Sequence, residues 1–200
     1  MSKRNKTHHL AVAAMLSAVA FGLQFMEFSI PIMPVFIKLD ISDLPALLGT
    51  YALGPAYGVA IELVKNLLHL PLTNSAGVGE LSNFLLGAVF VFCAGVFYKR
   101  HKNRKTALWG SIVGAMAMAV VCLPINYYLV YPAYVAVYGL PLEAIIGAYQ
   151  EIWPQMPGPF SDLLFNCLLI FNVPFTFFKG LLNVVLCFLI YKPLSPLLHK

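Results

Sequence analysis

Lys99-Arg100-His101-Lys102-Asn103-Arg104-Lys105 separates two long apolar runs, residues 80–98 before it and 106–128 after it. The connector holds five basic residues and no acid. About 20 apolar residues at ~1.5 Å each cross the ~30 Å hydrocarbon core of a bilayer, and both runs meet that length. A short basic connector between two such runs stays on the cytoplasmic side. Two other clusters follow the same rule: Lys3, Arg4 and Lys6 open the chain, and Lys192 and Lys200 close it. The eight acids all lie elsewhere.

Composition agrees. Apolar residues make up 60% of the 200-residue chain and charged residues 10%, against roughly 45–50% and 25% for a soluble domain. So few charges cannot clothe a water-facing surface. A cytosolic enzyme, a secreted disulfide scaffold and a disordered chain are excluded, and the lipid bilayer is the first partner. The net charge of +5 comes from connectors and ends rather than from a basic face, so no nucleic-acid partner is expected. Cys93, Cys122, Cys167 and Cys187 all sit in apolar runs without metal-ligand spacing and read as small buried hydrophobes.

The chain divides into spans at about residues 10–28, 45–54, 55–70, 80–98, 106–130 and 161–191, forming one membrane domain over 1–200. The first lacks a small-residue cleavage site and is too long for a signal h-region, so it reads as a retained span, ended by Pro31 and Pro34. Residues 35–44 form a mixed loop with Lys38, Asp40 and Asp43, and 73–79 a second loop. Residues 139–159, with Glu143, Glu151, Trp153 and four prolines, belong at the outer interface. Parity fixes the count. The N-terminus and the 99–105 connector are both basic, so an even number of crossings separates them, and 45–54 and 55–70 count as two short or tilted helices. Six transmembrane helices with both termini cytoplasmic result. Short segments interrupted by Gly and Pro, such as these two, are what binding sites in transporters tend to be made of.

Polar residues inside the spans are costly, so their depth is informative. Lys179 stands thirteen residues from Lys192, Glu80 nineteen from Lys99 and Asn126 twenty-one from Lys105. At ~1.5 Å per residue these are roughly 20, 28 and 32 Å, all in the outer half. Asn172, Thr176, Lys179 and Asn183 share one helical face, and Glu80, Asn83 and Gly87 another. Two readings stand: the groups pin the bundle to itself, with Lys179 paired to Glu80, or they form a ligand site. Ala14, Ala18 and Gly22 recur every four residues on the first helix, a small face that admits close helix approach; packing within the chain's own bundle is the simplest use of it. No GxSxG, HExxH or phosphate-binding loop is present, His8, His9, His101 and His199 sit at cytoplasmic edges, and His69 reads as structural. Neither an enzyme nor a self-powered pump is expected.

The run Phe36-Ile-Lys-Leu-Asp-Ile-Ser-Asp-Leu-Pro45, after a helix carrying Ala14-xxx-Ala18, resembles the S components of energy-coupling factor vitamin importers. Ser75-Ala-Gly-Val-Gly-Glu-Leu-Ser-Asn-Phe84 and Phe178-Lys-Gly-Leu-Leu182 look like the riboflavin-specific members. The likeness runs from about residue 10 to 198. It implies an all-α membrane subunit whose loop between helices 1 and 2 covers an outward-facing pocket, with riboflavin as transported substrate and no cofactor. It also implies two kinds of partner, a transmembrane T component and two cytoplasmic ATPases. Leu39 and Asp40 would cover the pocket, and Asn126 and Lys179 would hydrogen-bond the flavin ring edge. Glu80, Asn83, Thr176 and Asn183 would complete the site, and Ala14, Ala18 and Gly22 would receive the T component. The family often has Asn where this chain has Thr176. Another vitamin such as thiamine or biotin would fit a similar bundle. A stand-alone permease and a membrane enzyme using Glu80 and Lys179 remain alternatives from other classes.

Overall fold

The computed structural model describes residues 3–155 and 162–198. Pro157, Pro159 and Lys200 of the segments discussed above lie outside the described residues. Helix α1 (Lys3–Gln24) leads through a two-stranded antiparallel ribbon, β1 (Phe28–Ser29) and β2 (Lys38–Leu39), into α2 (Asp43–Leu53) and α3 (Pro55–His69). Then come α4 (Val78–Arg100) and α5 (Arg104–Ile125). The α5 rod runs on through a π-helical turn (Asn126–Val130), α6 (Tyr131–Ala133) and a second π-helical turn (Tyr134–Tyr138). After α7 (Leu142–Ile152), a last rod joins α8 (Leu163–Cys167), a π-helical turn (Leu168–Asn172) and α9 (Val173–Leu198).

Four of the rods are long and apolar enough to cross a membrane: Lys6–Gln24, Val78–Arg100, Arg104–Tyr138 and Leu163–Ile190. Helices α2 and α3, with 11 and 15 residues, reach only about 16 and 22 Å. They form a tight hairpin at Gly54, whose φ of 114° an L side chain rarely adopts. Residues 43–51 of α2 are buried without a break, so this short helix is the centre around which the longer ones stand.

Helix α3 is inside out relative to a soluble helix. Its buried stripe is Gly58, Ile61, Glu62, Lys65, Asn66 and His69, while Leu63, Val64, Leu67 and Leu68 are exposed. A 3.6-residue period with polar groups inward and leucines outward fits hydrocarbon surroundings, where aliphatic side chains need no shelter and charges do. Among the described residues the core falls into two clusters. One, around Leu47, Ile61, Phe90 and Ala115, joins α1 to α5 and α9. The other, around Tyr131, Tyr134, Ile145 and Tyr149, ties the α5 and α8–α9 rods to α7 at their ends away from the 99–105 connector.

Several boundaries differ from the sequence reading. The first helix stops at Gln24, before Pro31 and Pro34, because Phe28 and Ser29 leave it to pair with Leu39 and Lys38. Residues 35–44 therefore hold a strand as well as a loop. The 106–130 span continues helically to Tyr138, and the outer segment contains α7, whose Ile145 and Tyr149 are buried one turn apart.

Candidate functional site

The ribbon delivers Asp40 to the junction of three segments distant in sequence. Asp40 Oδ1 accepts from the Ser42 backbone N–H (2.9 Å) and hydroxyl (2.6 Å), a turn that fixes the carboxylate just before α2 begins. Its other oxygen accepts from Lys179 Nζ of α9 at 2.8 Å, and Lys179 also donates to Asn83 Oδ1 of α4 at 3.1 Å. Behind this junction Lys65 is completely enclosed. It donates to Asp43 Oδ1 (2.5 Å) and Ser42 Oγ (2.8 Å) and lies 2.8 Å from Glu62 Oε2. Glu62 in turn covers Gly87, where an added Cβ would meet its carboxylate at 2.5 Å. Asp43 Oδ2 stands 3.6 Å from Lys179 and has no hydrogen-bond partner. Burial raises the Asp40 carboxyl, but the Lys179 and Lys65 ammonium groups outweigh it and hold the group well below the usual carboxylate range.

This junction floors a cavity of about 240 Å³ at the end of the bundle away from the 99–105 connector. Its walls come from Phe36, Ile37, Leu86, Met118, Val130 and Phe175, with Tyr131, Tyr134 and Tyr138 along the α5 rod. The π-helical turns place these tyrosines. Each wide turn shifts the register of the rod, so Asn126, Val130, Tyr131, Tyr134 and Tyr138 all reach one space. Tyr131 is fixed by a buried hydrogen-bond network. Tyr149 donates to Asn172 Oδ1 (2.6 Å), Asn172 Nδ2 donates to the Tyr131 hydroxyl (3.0 Å), and the Tyr131 and Tyr149 hydroxyls bond to each other. Also at the cavity, Glu80 accepts from Thr73 Oγ1 (2.7 Å) and pairs with His69 Nδ1 (2.8 Å). Lys38 pairs with Glu27 across the ribbon.

Aromatic walls with a few fixed donors and acceptors suit a flat, partly polar organic molecule. Among the described residues no group of three His, Cys, Asp or Glu side chains is placed to hold a metal ion.

Residues 8–191 match the family described as "ECF transporter, substrate-specific component". The chain belongs to this family. It is 32% identical over 194 residues to the riboflavin transporter RibU of Staphylococcus aureus (strain TCH60), covering 96% of this chain and 92% of that protein. It is 29% identical over 199 residues to the riboflavin transporter FmnP of Bacillus subtilis (strain 168), covering 98% and 96%. A solved structure described as "Structure and mechanism of the S component of a bacterial ECF transporter" aligns with a TM-score of 0.74 at 31% identity, covering 98% of this chain and 99% of that one. This S component is therefore a membrane-embedded transporter subunit and not an enzyme.

Of the residues singled out from sequence, Asp40, Glu80, Asn83, Asn126, Thr176 and Lys179 line the S component's cavity together. Leu39 is a buried residue of the ribbon itself, and Asn183 lies one turn deeper on α9, where its Nδ2 donates to the Lys179 carbonyl (3.0 Å); neither lines the cavity. The pairing of Lys179 with Glu80 is corrected. Lys179 takes Asp40, and Glu80 takes His69 and Thr73. Helix-by-helix reading could not foresee this, because the ribbon that carries Asp40 across the bundle depends on two-residue strands. His69 is buried at the cavity edge, so its structural reading omitted the carboxylate it holds. Gln24, Glu27, Lys38 and the tyrosines also line the cavity and were missed. The dense aromatic run over residues 127–138 was the available signal. Ala14, Ala18 and Gly22 are exposed on α1, while Val12, Ala13, Leu16, Ser17 and Ala20 face the bundle. The small face does not serve internal packing.

Proposed function

We propose that this S component captures riboflavin from the outside and hands it to an energising module. The observation that carries this reading is Lys179, an ammonium held by Asp40 and Asn83 in a cavity that tyrosines also line. Isoalloxazine is flat, with an apolar edge and a uracil-like edge, and ribityl is a chain of hydroxyls. Asn126 and Lys179 donate to the ring carbonyls, Asp40, Glu80, Asn83 and Thr176 offer partners to the remaining polar atoms, and Leu39 anchors the covering ribbon through its buried side chain. Asn183 steadies α9 at Lys179. The names of the relatives support riboflavin over thiamine or biotin.

The purified full chain is expected to be yellow, with flavin absorption bands. Retention of a colourless vitamin in place of a flavin would overturn the assignment. Truncating Asn126 or Lys179 to Ala removes a buried donor and leaves a ligand acceptor unpaired, at a cost of about 1–3 kcal/mol, or roughly 5- to 150-fold in Kd. Asn126→Ala is the cleaner arm, since Lys179→Ala also strands Asp40. Unchanged flavin titrations for both variants reject them as ligands.

Six crossings, α1, α2, α3, α4, the α5 rod and the α8–α9 rod, with both termini cytoplasmic, satisfy the basic clusters within a single membrane domain. The ribbon between α1 and α2 then covers an outward-facing pocket. A thiol probe on Asn103→Cys is expected to react from the inside only; labelling from outside contradicts this topology. The partners that follow are a transmembrane T component, received on Ala14, Ala18 and Gly22, and two cytoplasmic ATPases, since this chain has no phosphate-binding loop of its own.

A further inference from the structure

At the opposite end of the bundle a second cavity, of about 220 Å³, opens beside the basic connector. Its interior is Tyr51, Tyr98, Ala107, Cys187 and Phe188, contributed by α2, α4, α5 and α9. The Tyr51 hydroxyl is already used, donating to the Ala107 carbonyl at 2.9 Å and bonding Ser111. Asn103, at the mouth, is committed to capping α5 through Thr106. The remaining two residues at the mouth are Lys102 and Arg104, both exposed and in no ion pair among the described residues. Lys99, Arg100 and Lys105 flank them, and the connector holds no acid.

An apolar slot with a cationic mouth matches an amphiphile with a negative head. The mouth also sits at the level of a membrane surface: Leu108 and Trp109, just inside α5, are exposed where an interfacial tryptophan belongs. We infer that this slot holds one anionic phospholipid of the surrounding bilayer, its phosphate on Lys102 and Arg104 and part of an acyl chain between Tyr98 and Phe188. Basic pockets between membrane helices take such headgroups because low-dielectric walls strengthen the attraction that open water would screen. Neutral phospholipid lacks the net charge, and a free anion leaves the apolar slot unfilled.

The test is native mass spectrometry of the full chain extracted from vesicles of phosphatidylglycerol and phosphatidylcholine in a one-to-nine ratio. One phosphatidylglycerol is expected to survive extraction. Neutralising the mouth with Lys102→Gln and Arg104→Gln should cut its retention roughly tenfold. The paired control Lys99→Gln and Arg100→Gln removes the same charge from the same connector outside the slot and should change retention less than about twofold. Thermal melting of both variants establishes that they are folded; the exposed positions make this the expected result. Equal losses in the two variants would mean a diffuse basic surface and overturn the site. Equal retention of phosphatidylcholine would do the same, as would displacement of the lipid by millimolar inorganic phosphate, which would mark a free-anion site.

Discussion

Tryptophan at both Ala14 and Ala18 is expected to abolish ATP-driven uptake while leaving vitamin capture intact. The two alanines lie on the exposed side of α1, one turn apart, and the next position in the series, Gly22, has nothing within 4 Å of an added Cβ. Bulk there meets lipid or a partner rather than this chain's own core. Helices associate in a bilayer through close backbone approach, since lipid supplies no hydrophobic drive, and small residues permit that approach. Two indoles between the backbones remove it sterically, so the loss should be near complete. The pocket lies among the ends of α4, the α5 rod and α9 away from the 99–105 connector, so flavin binding to the isolated subunit should be unchanged. Uptake at the normal rate by the double variant, measured in vesicles with the partner subunits, would place the docking face elsewhere.

The second large effect concerns stability. Lys65→Ala should lower the melting temperature by about 10 °C, from a loss of about 3–5 kcal/mol. Lys65 and Glu62 are fully buried and Asp43 nearly so, and Lys65 is the contact that Asp43 Oδ1 and Glu62 Oε2 share. Removing it leaves the Glu62 carboxylate buried without its cation and Asp43 with only the more distant Lys179, 3.6 Å away. Adding Asp43→Asn and Glu62→Gln to Lys65→Met replaces the charges with neutral groups of similar shape and should recover much of the loss, because breaking a buried ion pair costs more than deleting all of it. A single variant that melts with the parent would show that the cluster is uncharged in the folded protein.

How far the site could be read from sequence depends on the range of each signal. Thr176 and Lys179 converge with Asn83 and Asn126 because helical period and distance from a basic connector are local properties. The same arithmetic placed Asn183 on the site face, yet the cavity ends above it. Depth along a helix matters as much as azimuth, and a four-residue step is about 6 Å. The Asp40–Lys179 pair was out of reach, since it spans 139 positions and is set by the ribbon. The α3 stripe was within reach: Glu62, Lys65, Asn66 and His69 stand at i, i+3, i+4 and i+7, with leucines and valine between them. The π-helical turns left only weak traces, in Pro124, Pro174 and the tyrosine spacing.

That stripe on α3 bears on how the protein is made. A ribosome delivers helices to the membrane one after another, and a segment with Glu and Lys at its middle is rejected by the insertion machinery at about 2.5–3.5 kcal/mol per charge. On those terms the Lys65 ammonium of α3 needs a counter-charge. Its counter-charge Asp43 and the hydroxyl of Ser42 are supplied immediately upstream, and Gly54 folds α2 back against it within a single residue. The Lys65 charge is thereby met within one hairpin, and the sharpness of the turn bears on how the buried cluster can assemble as much as on the finished fold.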